Sequence, residues 1–135
     1  MKSQSKFEIL RMPPENTNSV LVSNGGDAAI FDPWGRCDDW GRILEARNLT
    51  LREIYATHGH PDHISAAPDL SARYDVPWYM GAADRDLVGW GNELLDFFGL
   101  PHICAHCASS SDLAAGAAMV LGKIPMHIIA SPGHT

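Results

Sequence analysis

The sequence predicts an α/β protein with a mixed sheet, for two reasons. Short apolar runs typical of strands come first, and alternating strand and helix patterns follow them. That order favours helices layered on a sheet. The 135 residues fit a single domain, and 45% hydrophobic against 19% charged residues is enough to build a core and argues against disorder.

The first three predicted elements are strands. Phe7–Met12 alternates loosely between apolar and polar residues. Val20–Ser23 and Ala28–Asp32 are apolar runs separated by Asn24–Asp27, which reads NGGD. Glycine supplies the positive φ angles of a tight turn, so these two runs are predicted to form a β-hairpin. Pro33 then ends the second strand of that hairpin.

A helix is predicted over Asp38–Asn48. Trp40, Ile43 and Leu44 share one face at helical spacing. Acidic residues occupy the first turn and Arg47 is placed in the last, an arrangement that suits the helix dipole.

The later elements follow from the same patterns. They are a strand at Leu51–Ala56, a helix at Pro68–Tyr74, a strand at Val76–Met80, helical patches in Ala82–Phe98 that Gly89 and Gly91 interrupt, a loop at Pro101–Ser111 and a final strand at Met126–Ala130.

The segment THGHPDH, Thr57 to His63, follows the Leu51–Ala56 strand directly. On extended backbone His58 and His60 point to the same side, so both can bind one metal ion. Asp62 and His63 come after a proline, where the chain must turn. Imidazole and carboxylate suit zinc or ferrous iron. A solvated loop is the alternative, but four potential ligands in six residues at a strand end favour a metal site.

This segment resembles the HxHxDH signature of the metallo-β-lactamase superfamily. The resemblance extends to IFDP (Ile30–Pro33), to ISAAPDLSARYDVPWY (Ile64–Tyr79) and to the terminal IIASPGHT. It runs from about Asn18 to Thr135, with a divergent stretch near residues 81–123. Among the branches, THGHPDH with PGHT is most similar to the glyoxalase II-like hydrolases and their thiol-dioxygenase relatives.

The resemblance implies an αββα sandwich, of which residues 1–135 would be one C-terminally truncated domain: the first half plus the start of the second. We expect a fragment of a longer enzyme, ahead of a naturally short chain or an inactive relative. Half a sandwich leaves an apolar sheet face uncovered. We therefore expect a homodimer, or exchange of elements between chains, to cover it.

The resemblance also implies a ligand set. His58, His60 and His134 would hold a first metal ion, while Asp62 and His63 would belong to a second. Asp62 would also orient the nucleophile. Asp32 would hydrogen-bond the histidine loop from outside the metal site, although a strand-end turn before Pro33 explains it equally well. The family's bridging aspartate and final histidine do not occur in the chain.

The implied function is hydrolysis of an ester, thioester or amide by a metal-bound hydroxide. The cofactor would be one or two zinc ions, with iron or manganese as alternatives. One alternative function is a mononuclear-iron thiol dioxygenase, which needs two histidines and an aspartate. Another is a non-catalytic truncated domain that acts in assembly. The substrate would be a small molecule, and the sequence does not identify it.

Charge and hydropathy limit the partners and the compartment. The net charge of −6, without a basic run, gives no sign of nucleic-acid binding. Neither a membrane-length apolar segment nor a signal sequence is recognised, so we expect a cytoplasmic protein. Three cysteines do not form a disulfide framework, and free thiols are favoured for the Cys104–Cys107 pair over a metal site or a disulfide. His127 is expected to be a core or edge residue.

Overall fold

A six-stranded mixed sheet is the main feature of the computed structural model, which describes residues 4–13, 16–100, 110–121 and 123–135. Its strands are β1 (Lys6–Met12), β2 (Thr17–Asn24), β3 (Asp27–Phe31), β4 (Thr50–Tyr55), β5 (Trp78–Met80) and β6 (Ser111–Asp112). They lie side by side in chain order. The first three are antiparallel, and β3 to β6 run parallel. The predicted α/β class is confirmed.

The remaining elements cover the two faces of this sheet. The helices are α1 (Cys37–Ala46), α2 (Pro61–Ile64), α3 (Ala67–Tyr74) and α4 (Arg85–Phe97), and a 3-10 turn spans Ala82–Asp84. Strands β7 (Ala118–Leu121) and β8 (Ile124–His127) form a separate antiparallel pair.

Each face of the sheet has its own apolar core. On the helical side Trp40 of α1, Leu70 of α3 and Leu95 of α4 pack with Ile30 and Ile54 of the sheet. On the other side Val22, Ala29 and Tyr55 pack with Leu121 of β7. The chain therefore forms three layers: helices, the main sheet and the start of a second sheet.

The second sheet covers only part of its face. Phe7 and Ile9 of β1 remain 64% and 70% exposed, on the edge strand of the sheet. The expectation that a second copy or an exchanged element covers this face stays a prediction.

The hairpin and the first helix form for the predicted reasons. Gly25 and Gly26 make the turn between β2 and β3 with φ angles of 61° and 93°, as a tight hairpin turn requires. In α1, Trp40 is fully buried and its indole Nε1 donates to the carbonyl oxygen of Trp34 at 2.8 Å. The prediction that Arg47 lies in the last turn of the helix was wrong, because Arg47 follows that turn as the cap residue of α1. Its guanidinium donates instead to the Glu8 carboxylate at 3.0 Å.

Gly89 and Gly91 do not interrupt α4, which continues through both of them. A glycine costs a helix only about 1 kcal/mol relative to alanine. Packing of Leu95 and Gly91, both buried, outweighs that cost.

The C-terminal predictions were the least accurate. The sequence reading missed β7, whose residue Leu121 enters the second core. Strand β8 begins at Ile124 and ends at His127, since its ladder with β7 ends where His127 pairs with Ala118. Ser111, predicted as loop, begins β6. The rest of that predicted loop up to residue 109, with Cys104 and Cys107, lies outside the described residues.

Two further observations concern the helices and the cysteine of the described residues. None of the described helices has the length and apolar character needed to cross a membrane. Cys37 is a free thiol, and its partial burial raises its pKa.

Replacement of Gly89 by alanine is expected to stabilise the protein by about 0.5–1 kcal/mol. The added Cβ meets no atom within 4 Å, and alanine favours the helix. Urea unfolding followed by circular dichroism measures the change. Gly26→Ala is the matched control: its Cβ is equally unobstructed, but its φ of 93° is strained for an L side chain, so it should lose stability. A gain of stability in both variants would contradict this account.

Candidate metal centre

The histidine loop lies at the carboxyl end of β4, where parallel strands of an α/β sheet usually present functional groups. The Ala56 amide still donates to the carbonyl oxygen of Tyr79 at 2.8 Å, which ties the end of β4 to β5. Pro61 then starts α2, so the chain turns where the sequence predicted.

Three histidines from two distant segments meet beside this loop. His58, His60 and His134 each offer a ring nitrogen, and these nitrogens lie within 4.8 Å of one another. The ring centroids are 4.7 to 4.9 Å apart, with the rings nearly perpendicular. We call these three residues the histidine cluster. His58 and His60 are half-buried, and His134 is exposed.

The tautomer of His58 follows from its neighbour Thr57. The hydroxyl Oγ1 of Thr57 donates to Oδ2 of Asp32 at 2.8 Å and lies 2.8 Å from Nδ1 of His58. A hydroxyl has one proton to donate. Because that proton goes to Asp32, Nδ1 of His58 must carry the donor proton, and Nε2 keeps its lone pair.

Nε2 of His58 is buried and has no hydrogen-bond partner among the described residues. An unpartnered buried polar atom calls for an explanation. Burial, together with the neighbouring His63 and His60, lowers the pKa of His58 and keeps its ring neutral. A neutral imidazole with a free Nε2 is the form that binds a metal ion.

Asp32 holds the histidine loop in place. It follows β3 with a positive φ of 53° and is only 7% exposed. Its Oδ1 accepts from the backbone amide of Thr57 at 2.6 Å. Its Oδ2 also lies 3.0 Å from Nδ1 of His63, an ion-pair distance without good hydrogen-bond alignment. Asp32 thus makes the strand-end turn and contacts the loop, so its two sequence interpretations are compatible.

Asp62 and His63 lie beside the histidine cluster and contact each other. Asp62 Oδ2 accepts from the Thr17 hydroxyl at 3.0 Å and is 3.4 Å from Nε2 of His63. The ring of His63 lies against that of His58, with the ring centroids 4.1 Å apart and the planes tilted by 45°. Burial opposes protonation of His63, but Asp32 and then Asp62 outweigh it and raise the pKa of His63.

Asp84 contacts both segments of the histidine cluster, and sequence reasoning missed it. Its Oδ2 accepts from the Gly59 amide at 2.9 Å and from the Thr135 hydroxyl at 3.2 Å. Gly59 separates His58 from His60, and Thr135 follows His134. Asp84 lies in the stretch that matched no recognised motif, so no sequence signal pointed to it.

Two cavities adjoin the histidine cluster. One, of about 440 Å³, is lined by His58 and His134 together with Phe31, Tyr55 and the exposed His127. The other, of about 370 Å³, begins at His60 and runs along α4. A ligand therefore has access to the cluster from two sides.

Three imidazoles with room for further ligands fit a divalent transition metal. Catalytic zinc commonly has three protein ligands and one open position. The unpartnered Nε2 of His58 supports this fit.

The chain is similar in sequence to proteins of a known family. The family model described as the metallo-beta-lactamase superfamily matches residues 12–103. Hydroxyacylglutathione hydrolase GloC of Haemophilus influenzae is 31% identical over 131 residues, which cover 96% of this chain and 62% of that protein. An uncharacterized protein of Aquifex aeolicus is 30% identical, covering 96% of this chain and 61% of its own length. The chain thus spans about six tenths of these relatives.

Solved structures show the same fold. The BLEG-1 B3 metallo-beta-lactamase superposes with a TM-score of 0.83 at 25% identity, covering 96% of this chain and 63% of that one. TTHA1623 in a di-iron-bound form superposes with a TM-score of 0.72 at 23% identity, covering 85% and 57%.

Replacement of Gly59 by alanine is expected to destabilise the protein by about 1–3 kcal/mol, the usual cost of overpacking. The added Cβ would lie 2.8 Å from the backbone carbonyl oxygen of Asp84, so the loop or the turn must move. Denaturant unfolding measures the loss. Gly81→Ala, at the start of the same turn with no atom within 4 Å of its Cβ, is the control and should stay near wild type. Equal stability of the two variants would refute the close packing of Gly59 on Asp84.

Proposed function

Because the chain belongs to the metallo-beta-lactamase superfamily, we propose that its histidine cluster holds a divalent metal ion and serves a hydrolase. The membership bears out the sequence resemblance, and the structural likenesses bear out the fold class, with the chain matching part of each similar structure. At the family level a metal-dependent hydrolase is supported. We propose this hydrolase activity for the whole protein.

The observation that carries the proposal is the convergence of one ring nitrogen each from His58, His60 and His134 within 4.8 Å, together with the unpartnered Nε2 of His58. These three residues would be the metal ligands. When bound, a metal ion lowers the pKa of water and polarises a carbonyl group. The chain's own residues supply the positioning: Asp32 and Thr57 hold His58 in the ligand tautomer.

Asp62 is proposed to orient the attacking water. Its Oδ2 is engaged by Thr17 and lies near His63, which fixes the carboxylate group. Oδ1 would accept a proton from water. A carboxylate placed as a general base contributes about 10²- to 10⁴-fold to the rate.

Asp62 and His63 are also proposed as ligands of a second metal ion once further ligands join them. In the described part of the chain they pair with each other, with Asp32 and with Thr17. The three histidines therefore form the primary site, and one metal ion per chain is the expected content. Zinc is the expected metal, since three histidine ligands suit a catalytic zinc ion.

A thioester is proposed as the bond that is hydrolysed. The relatives from Haemophilus influenzae and Hahella chejuensis, each 31% identical, are hydroxyacylglutathione hydrolases. Their names indicate hydrolysis of a thioester of glutathione. The location is proposed to be cytoplasmic.

The second candidate function is a mononuclear-iron thiol dioxygenase. One observation supports iron as the metal, since the similar structure of TTHA1623 is in a di-iron-bound form. Elemental analysis and oxygen uptake in the presence of a thiol separate the two candidates. Bound zinc with thioester hydrolysis supports the hydrolase, whereas bound iron with thiol-dependent oxygen consumption supports the dioxygenase.

His58→Ala is expected to reduce the bound metal from about one ion per chain to almost none, since it removes one of only three ligands. Elemental analysis of protein purified without chelator measures this. His127→Ala is the matched control, because His127 lines the same cavity but lies outside the histidine cluster. It should keep the metal. Unchanged metal content in His58→Ala would refute the ligand assignment.

Asp62→Asn is expected to keep the primary metal ion and to lower kcat for thioester hydrolysis by about 10²- to 10⁴-fold. The amide keeps the shape of the carboxylate but accepts a proton poorly. Steady-state kinetics and metal analysis are run on the same preparation. Wild-type kcat with normal metal content would contradict the assigned role, and so would loss of the primary metal ion.

A further inference from the structure

An apolar groove of about 370 Å³ extends from the histidine cluster along α4. His60 and Pro61 form one end. Leu87, Trp90, Leu94 and Phe97 of α4 form its long wall. Their spacing of three, four and three residues places these four side chains on one face of the helix.

The groove wall is unusually exposed for such large apolar side chains. Trp90 is 69% exposed, Phe97 81% and Leu94 43%. The other three tryptophans are at most 4% exposed. A contiguous exposed apolar patch beside a polar site is typical of a binding surface.

Charge in the groove restricts what can bind. The lining contains one carboxylate, Glu93, and no lysine or arginine from the part of the chain that the structure describes. A carboxylate or phosphate group would meet no cation there. The groove therefore selects an uncharged, apolar group.

Size favours a small molecule over a second protein. The volume falls within the range of about 300–1,000 Å³ that is typical of small-ligand sites.

We propose that this groove binds the apolar acyl chain of a thioester substrate whose carbonyl group lies at the histidine cluster. The link is His60, which belongs both to the cluster and to the groove wall. The inference rests on the proposed hydrolase function and specifies its substrate class. An acyl chain of several methylene groups is preferred to the short polar hydroxyacyl group.

The test uses the protein as purified, with its metal content measured, and 2-alkanones of six to twelve carbons, which have a neutral carbonyl group and no leaving group. Trp90 is the only strongly exposed tryptophan of the four, so its emission reports on the groove. The expected result is a saturable blue shift. Affinity should rise about fourfold per added methylene until the groove is filled, from about 0.8 kcal/mol per buried CH₂.

Two variants locate the binding. Phe97→Ala should weaken the longest ketones by at least tenfold. Phe7→Ala is the matched control, since Phe7 is equally aromatic and 64% exposed but lies on β1, away from the groove. No saturable shift, or the same loss in both variants, would overturn the proposal. An emission shift that depends on protein concentration, with a dimer that Phe97→Ala dissociates, would make this face a contact between two copies and also overturn it.

A kinetic measurement links the groove to turnover. With metal-loaded protein, kcat/KM for acyl thioesters should rise with chain length in wild type and Phe7→Ala, and become flat in Phe97→Ala. A flat wild-type profile overturns the groove assignment. Ketone binding without hydrolysis of any thioester would instead refute the proposed hydrolase function alone, so the two failures are distinguishable.

Discussion

The histidine loop depends on one buried carboxylate, that of Asp32. A buried charge is costly unless hydrogen bonds compensate it, and Asp32 obtains its compensation from the loop that it supports. It accepts from both the amide and the hydroxyl of Thr57. The parallel pairing of β3 with β4 brings these residues together, since the Asp32 amide donates to the carbonyl oxygen of Tyr55 at 2.8 Å. The sheet thereby positions the side chain of Asp32, and this side chain in turn holds the histidine loop.

A second carboxylate, that of Asp84, links His134 to the other two histidines, from which it is distant in sequence. Asp84 accepts hydrogen bonds from residues next to each of them, Gly59 and Thr135. The absence of a side chain at Gly59 permits this approach, because a Cβ would lie 2.8 Å from a backbone oxygen of Asp84. The small residue in the HGH motif is thus a packing requirement as well as a spacer.

Short sequence patterns predicted the parts of the fold that depend on interactions between residues close in sequence. The NGGD turn, the amphipathic face around Trp40 and the strand before THGHPDH each contain their own signal, and each element forms. Local sequence patterns did not predict the features that depend on contacts between residues distant in sequence. Leu121 of β7 joins the apolar core that includes Tyr55 of the main sheet, although the two residues are distant in sequence. Asp84 joins the site only through folding, and α4 tolerates its glycines because its other face, with Gly91 and Leu95, is buried. The grouping of His58 and His60 was readable from their spacing, whereas the tautomer of His58 required the position of Asp32.

The charges around the histidine cluster explain how one small region can favour a cation and an apolar group at once. Asp32, Asp62 and Asp84 all contact the histidine segments, and none forms an ion pair with lysine or arginine among the described residues. The carboxylates around the imidazoles create a negative potential, which attracts a metal ion. Next to the cluster, the wall of α4 adds apolar surface, and the described residues that line it include one carboxylate and no lysine or arginine. A bound metal ion would face the neutral carbonyl group of a substrate, and the wall of α4 would face its apolar chain.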